Sequence, residues 1–187
     1  MWNQRNHSEM SRNLEFDIVE KSFQWLSAQQ IQSVKELSST LSAHAHWALP
    51  NPYITQLILK QEKNGSWNSS IRDTARACTA LSTEGIVFTA SERWLLARKS
   101  NNSWNRDVYD TAYALAALAD METQDKNGCN WLYEHYCPAW EQVGTTSLII
   151  TALKKQDNLA KTKTFETFIR EKAEWILSKR GQDGGWK

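Results

Sequence analysis

Two stretches of this chain carry nearly the same residue pattern, and this duplication constrains the fold more than any other feature. The first runs from Asn64 to Leu81 and reads NGSWNSSIRDTARACTAL, and the second runs from Asn101 to Asp120 and reads NNSWNRDVYDTAYALAALAD. Their tryptophans, Trp67 and Trp104, stand 37 residues apart. Self-similarity at a fixed period in this range indicates stacked supersecondary units. The chain is therefore predicted to be a repeat protein.

The repeated unit reads as a pair of helices. Apolar residues recur at helical spacing from Ser11 to Gln30, and a second helix is predicted from Val34 to Trp47, before Pro50. Later segments share a bulky residue followed by an aliphatic one: Trp25-Leu26, Leu57-Ile58, Trp94-Leu95, Trp131-Leu132 and Trp175-Ile176. A further tryptophan follows all of these pairs but the first. Helices rich in small residues are predicted next, at Ile71–Leu81, Val108–Ala119 and Gly144–Leu153, and Gln156–Lys163 reads as an inserted polar loop.

Residues 1–187 are thus predicted to form a single all-α domain of helical hairpins, arranged as a full or partial α/α toroid. Alanine and threonine on the second helix of each hairpin allow close packing, and the tryptophans fill the space between hairpins. One hypothesis for closure of the ring places Trp2 against the turn that contains Trp186, in the same chain or in a partner copy.

Composition excludes several classes of partner. The 22 basic and 21 acidic side chains leave a formal charge of +1, which gives no broad electrostatic basis for binding nucleic acid. No apolar run is long enough to span a bilayer. Three cysteines without paired spacing fit a reducing compartment, so we expect a cytoplasmic protein. The sequence indicates no cofactor.

Several motifs resemble those of the terpene cyclase and protein prenyltransferase superfamily. In that family each repeat carries a basic residue, an aromatic-aliphatic pair, a glutamine and a Gly-x-Trp turn. The stretch from Lys172 to Trp186, KAEWILSKRGQDGGW, is similar to this pattern, with Lys179 at the glutamine position, and KSFQWLSAQQ from Lys21 to Gln30 supplies the glutamine without the turn. The resemblance implies an α/α toroid built from squalene cyclase-like repeats.

The same resemblance directs attention to three carboxylates, Asp73, Asp107 and Asp110. Cyclases of the protonating class carry Asp-x-Asp-Asp-Thr-Ala, in which the middle aspartate is the acid. Asp107-Val-Tyr-Asp-Thr-Ala112 has Tyr109 in that place, and the first copy has Arg72. A phenol is too weak an acid to protonate an alkene. Helix capping explains the carboxylates without chemistry, because Ser70 with Asp73, and Asp107 with Asp110, have the spacing of a helix start.

Two further groups of residues are candidates for binding. Tyr109, Tyr113, Trp104 and Trp140 could line an aromatic pocket, which in this superfamily holds isoprenoid chains and stabilises carbocations; packing between hairpins is the alternative. Cys129, His135 and Cys137 contain the ligand types that zinc prefers, but they would have to converge to bind it. The Asp-x-Cys pair of the zinc-dependent prenyltransferases is absent from the sequence.

Two functions remain open at this stage. The first is a non-catalytic repeat module that binds a protein partner, a second copy of itself or an apolar ligand in its concave centre. The second is an isoprenoid-processing enzyme of the class II cyclase or prenyltransferase type, or a piece of one. A sugar-active α/α barrel using Asp73 and Asp110 as paired carboxylates is a third, lower-ranked alternative.

Overall fold

The structure, a computed structural model, describes residues 18–186, and this part of the chain is all-α apart from one small hairpin of strands. The helices are α1 (18–27 within the described part), α2 (Val34–His46), α3 (Ile54–Leu59), α4 (Ile71–Ser82), α5 (Thr89–Ala97), α6 (Val108–Asp120), α7 (Lys126–Glu134), α8 (Val143–Ala160) and α9 (Glu166–Ser178), with a 3₁₀ turn at Pro138–Trp140. The antiparallel strands are β1 (Lys99–Ser100) and β2 (Ser103–Trp104).

The helices form a repeat-like arrangement in which the even-numbered helices pack side by side in chain order. Helix α2 packs against α4, α4 against α6, and α6 against α8; we call these four the central row. Helices α3, α5, α7 and α9 each pack on a member of that row, and we call them the flanking helices. All-α packing of repeated helical hairpins is therefore confirmed for the described residues.

Small residues allow the close packing of the central row. Ala77 and Ala80 on α4, and Ala114 and Ala117 on α6, are all fully buried. Alanine combines high helix propensity with a side chain short enough for two helix backbones to approach closely. Leucines such as Leu81 fill the remaining core positions.

Glycine is required at one point in the first repeated turn. Gly65 has a φ of 92°, and a Cβ placed on it would lie 2.6 Å from the backbone carbon of Ala90 at the start of α5. The equivalent turn in the second copy has Asn101 and Asn102 at positive φ, where asparagine is the best-tolerated residue after glycine. The two copies thus reach similar turns by different residues.

The prediction that Gln156–Lys163 forms an inserted loop is wrong for most of its length, because α8 continues to Ala160. Gln156 is buried, donates to the carbonyl oxygen of Leu115 at 2.9 Å and accepts from the backbone of Asp125 at 2.9 Å. Asp157 is buried too and accepts from the backbone amide of Phe165 at 2.9 Å. Polar residues indicated a loop, but here they satisfy backbone groups inside the fold.

Two predictions extend beyond the described residues. The first helix is observed from residue 18, whereas its predicted start at Ser11 lies outside them. Trp2 also lies outside, so ring closure against Trp186 is not tested. None of the helices in residues 18–186 has the length and apolarity needed to cross a membrane.

Candidate functional site

The two copies of the repeated motif hold their tryptophans by the same two hydrogen bonds. The indole nitrogen of Trp67 donates to the carbonyl oxygen of Leu57 at 2.7 Å, and that of Trp104 donates to Leu95 at 2.7 Å. Their backbone amides donate to Thr74 and Thr111 at 3.0 and 3.1 Å, respectively. Both indoles are fully buried. Each tryptophan therefore ties a flanking helix to the first turn of the next central-row helix, and we call this arrangement the tryptophan clamp.

The aspartates of the motif belong to the starts of these central-row helices. Ser70 accepts from the backbone amide of Asp73 at 3.2 Å, and Asp107 accepts from that of Asp110 at 2.8 Å. Asp73 and Asp110 also accept from the side-chain amides of the asparagines that follow the clamp tryptophans, at 2.9 and 2.8 Å. The predicted capping is thus confirmed in both copies.

A guanidinium group joins the two copies. Arg72 Nε lies 2.5 Å from Asp110 Oδ1, and Arg72 Nη2 lies 2.9 Å from Asp107 Oδ1. The hydrogen bond to Asp110, and then the negative charges of Asp110 and Asp107, raise the pKa of Arg72 despite its partial burial. Both carboxylate oxygens of Asp110 are therefore engaged, one by Arg72 and the other by Asn105.

Both tyrosines of α6 are covered by arginines from α4. The Arg72 guanidinium carbon lies 5.1 Å from the ring centre of Tyr109, and that of Arg76 lies 4.5 Å from the ring centre of Tyr113. The Tyr109 hydroxyl also lies 2.7 Å from the hydroxyl of Thr145 on α8. The side chains consequently form a continuous strip across α4, α6 and α8 on the solvent-accessible side of the central row. We call it the Arg-Tyr strip.

The four predicted pocket residues separate into different environments. Tyr109 and Tyr113 lie on the Arg-Tyr strip, with Tyr109 exposed by 36%. Trp104 is fully buried in its clamp and lines no open surface. Trp140 is half-buried beside α7, where its ring centre lies 5.9 Å from that of Trp131. The four residues do not share one pocket.

The candidate zinc ligands do not converge. Cys129 is a buried residue of α7, whereas His135 is exposed and stacks on Trp131 with ring centres 4.6 Å apart. Cys137 lies beyond the end of α7 and is half-buried. Within residues 18–186, no three His, Cys, Asp or Glu side chains come close enough to hold a metal ion together.

Burial predicts how the three thiols react. It raises the pKa of Cys78 and of Cys129 to about 12, so both thiols stay protonated in the folded protein at pH 8, and only the thiolate is nucleophilic. In a titration with a disulfide reagent such as DTNB, we expect Cys137 to react first, and Cys78 and Cys129 to react only at the rate of unfolding. A Cys137→Ser variant should remove the fast phase; its persistence would contradict this assignment.

Sequence reasoning missed Arg72, Arg76 and Thr145 as parts of the candidate site. A usable signal was present, because Arg72 and Arg76 occupy in the first copy the positions that Tyr109 and Tyr113 occupy in the second. Once the copies are placed on adjacent helices, equivalent positions become neighbours. Each arginine then lies beside its tyrosine counterpart.

Comparisons with known proteins add no relative on which to base a function: no protein-family model, no curated protein and no solved structure matches the chain.

Proposed function

We propose that this protein is a non-catalytic helical-repeat module that binds a protein partner on the Arg-Tyr strip. The observation that carries the proposal is the strip itself, in which Arg72 and Arg76 lie over Tyr109 and Tyr113. Arginine and tyrosine are enriched at protein–protein interfaces and among the residues that dominate their binding energy. Rings and guanidinium groups that already pack on each other lose little conformational entropy on binding.

The charges of this face support a protein partner over nucleic acid or a membrane. Arg72 is paired with Asp107 and Asp110, and Arg76 lies 3.4 Å from Asp73. At the other end of α6, Lys155 lies 2.6 Å from Asp120. Each of these cations has a carboxylate partner, so the face presents mixed charge rather than a basic patch.

The same contacts argue against the isoprenoid alternative. A guanidinium group already lies over one face of Tyr109 and of Tyr113, and its positive charge would repel a carbocation bound there. A pocket of ≈ 390 Å³ beside Asp110 has a polar wall that includes Arg72, Arg98 and Asn105. An apolar chain placed there would leave these polar groups without water, which is costly. An apolar ligand is therefore a poorer fit than a protein surface.

Turnover assays test the non-catalytic part of the proposal. The protein would be incubated with squalene, with oxidosqualene and with farnesyl diphosphate plus a cysteine-containing peptide, and products would be sought by mass spectrometry. We expect none, because Asp107 and Asp110 are committed to Arg72 and to the helix start. A cyclised or prenylated product that disappears in an Asp110→Asn variant would refute the proposal.

Site-specific cross-linking tests the binding part. A photoreactive amino acid at Thr79, one turn beyond Arg76 on α4, should capture a defined protein, and Tyr113→Ala should reduce that capture about tenfold or more, as expected for a central interface residue. The same probe at Glu174, which is exposed on α9, is the matched control. Equal capture from both positions, or capture that Tyr113→Ala leaves unchanged, would count against the strip as the interface.

A further inference from the structure

A second concave surface lies away from the Arg-Tyr strip, between α7 and the turn that leads into α6. It encloses ≈ 630 Å³, within the range of about 300–1,000 Å³ typical of small-ligand sites. Helix α7 contributes Asn130, Trp131 and Glu134, the preceding repeat contributes Arg106, and Trp140 completes the wall. We call this surface the α7 groove.

The groove lies where one repeat departs from the tryptophan clamp. Trp67, Trp104 and Trp186 each donate their indole N–H to a carbonyl of the preceding flanking helix, at 2.7, 2.7 and 2.9 Å. Trp140 makes no such bond anywhere in residues 18–186. Its half-buried ring lies 5.9 Å from that of Trp131 at an interplanar angle of 38°, and neither indole N–H forms a hydrogen bond within residues 18–186.

The polar residues of α7 have no evident role inside the fold. Asn127, Asn130 and Glu134 lie on one face of the helix at positions i, i+3 and i+7, and none of their side chains forms a hydrogen bond or an ion pair within residues 18–186. Asparagine also has low helix propensity, so two of them in a nine-residue helix lower its local stability. Residues that lower the stability of their own helix without forming an interaction elsewhere in the protein are expected at functional sites.

The composition of the groove selects the chemistry of its ligand. Arg106 and Glu134 carry opposite charges, so the groove has no excess charge with which to select an anion or a cation. Planar amide, carboxylate and guanidinium groups can each make paired hydrogen bonds to neighbouring hydroxyls. The face of an indole ring is flat, apolar and carries partial negative charge. It can therefore pack against the C–H groups on one side of a sugar ring.

We propose that the α7 groove binds a neutral oligosaccharide, with Trp140 and the face of Trp131 that His135 does not cover packing against sugar rings, and Asn127, Asn130 and Glu134 binding their hydroxyls. This proposal does not depend on the function proposed for the Arg-Tyr strip, since the two surfaces share no residue.

Titration calorimetry and saturation-transfer NMR on the full chain test the proposal. The probes are cellotriose, maltotriose, xylotriose and triacetylchitotriose, with a fully sulfated heparin disaccharide as the charged comparison. We expect at least one neutral trisaccharide to bind, and Asn130→Ala and Glu134→Ala each to weaken it about tenfold or more. The matched controls, Asn158→Ala and Glu174→Ala, change exposed residues outside the groove and should bind as the wild type does.

Three outcomes would overturn the proposal. The first is that the wild-type protein binds none of the neutral trisaccharides at millimolar concentration. The second is that the heparin disaccharide binds more tightly than all of them, which would mark a site for anions. The third is that Asn130→Ala and Glu134→Ala bind the sugar as well as their controls do. The two variants change surface residues on successive turns of α7, so one of them remains informative if the other fails to fold.

Discussion

Replacing Trp104 with alanine is expected to remove about 3–5 kcal/mol from the free energy of unfolding, as for other fully buried tryptophans. The side chain has no exposed surface, and its indole N–H is the donor to Leu95 that ties α5 to the start of α6. Because domains of this size are typically stable by about 5–15 kcal/mol, this loss removes a large fraction of the total stability. Urea denaturation followed by circular dichroism at 222 nm measures the loss.

Two control variants distinguish the effect of the indole hydrogen bond on stability from the effect of the ring's volume and from that of removing an exposed tryptophan. Trp104→Phe keeps much of the ring but removes the indole donor, so the Leu95 carbonyl oxygen retains only the backbone amide of Arg98 at 3.1 Å, and we expect a smaller loss of about 0.5–1.5 kcal/mol. Trp25→Ala removes a side chain that is 66% exposed and should change stability by only about 0.5 kcal/mol. A Trp104→Ala variant as stable as Trp25→Ala would show that the clamp does not hold the repeats together.

The clamp and the helix caps were predictable because the residues that form them occur twice in the sequence at the same spacing. Two copies of Trp-Asn followed by Asp-Thr-Ala at one spacing indicated a turn and a helix start, and both copies form the same bonds. These interactions join residues within about ten positions of each other. A local pattern is sufficient to identify interactions of this range.

Contacts between neighbouring helices were less accessible to sequence reasoning. Arg72 and Asp110 are separated by 38 residues, and Gln156 and Leu115 by 41. Asp110 was therefore predicted at a helix start but not as the partner of an arginine, and Gln156 was predicted in a loop, although it is buried in α8. In each case a polar residue acquires its role from a helix that a local window does not contain.

The departure of Trp140 from the clamp was also hidden, because its spacing from the preceding aromatic-aliphatic pair matches that of the other repeats. The sequence spacing determines which part of α7 the Trp140 ring can reach. Whether its indole N–H forms a hydrogen bond there depends on whether the nearby carbonyl oxygens already have donors. The carbonyl oxygen of Trp131 accepts from both the backbone amide and the ring nitrogen of His135, at 3.1 and 2.9 Å. The repeat that contains Trp140 differs from the others in having a histidine at this position.

The second large effect is expected for the link between Arg72 and Asp110. Asp110→Asn removes the charge that the guanidinium binds, and we expect a loss of about 1–2 kcal/mol in the free energy of unfolding. This is less than for a fully buried pair, because the Arg72 side chain is 40% exposed and solvent screens the interaction. Asp73→Asn is the matched control from the first copy, since its nearest arginine nitrogen lies at 3.4 Å and a smaller loss follows.

A double-mutant cycle with Arg72→Met isolates the pair from the capping and asparagine bonds that Asp110 also makes. The two single changes should each destabilise the protein, and the double change should cost less than their sum by about 0.5–1.5 kcal/mol, because residues of one ion-pair network are coupled. Urea denaturation at low salt and at 1 M salt measures this coupling, which should shrink at high salt. Zero coupling at low salt would mean that the bond between the two repeats contributes nothing to stability, and the aspartate that resembles a cyclase residue would then need another explanation.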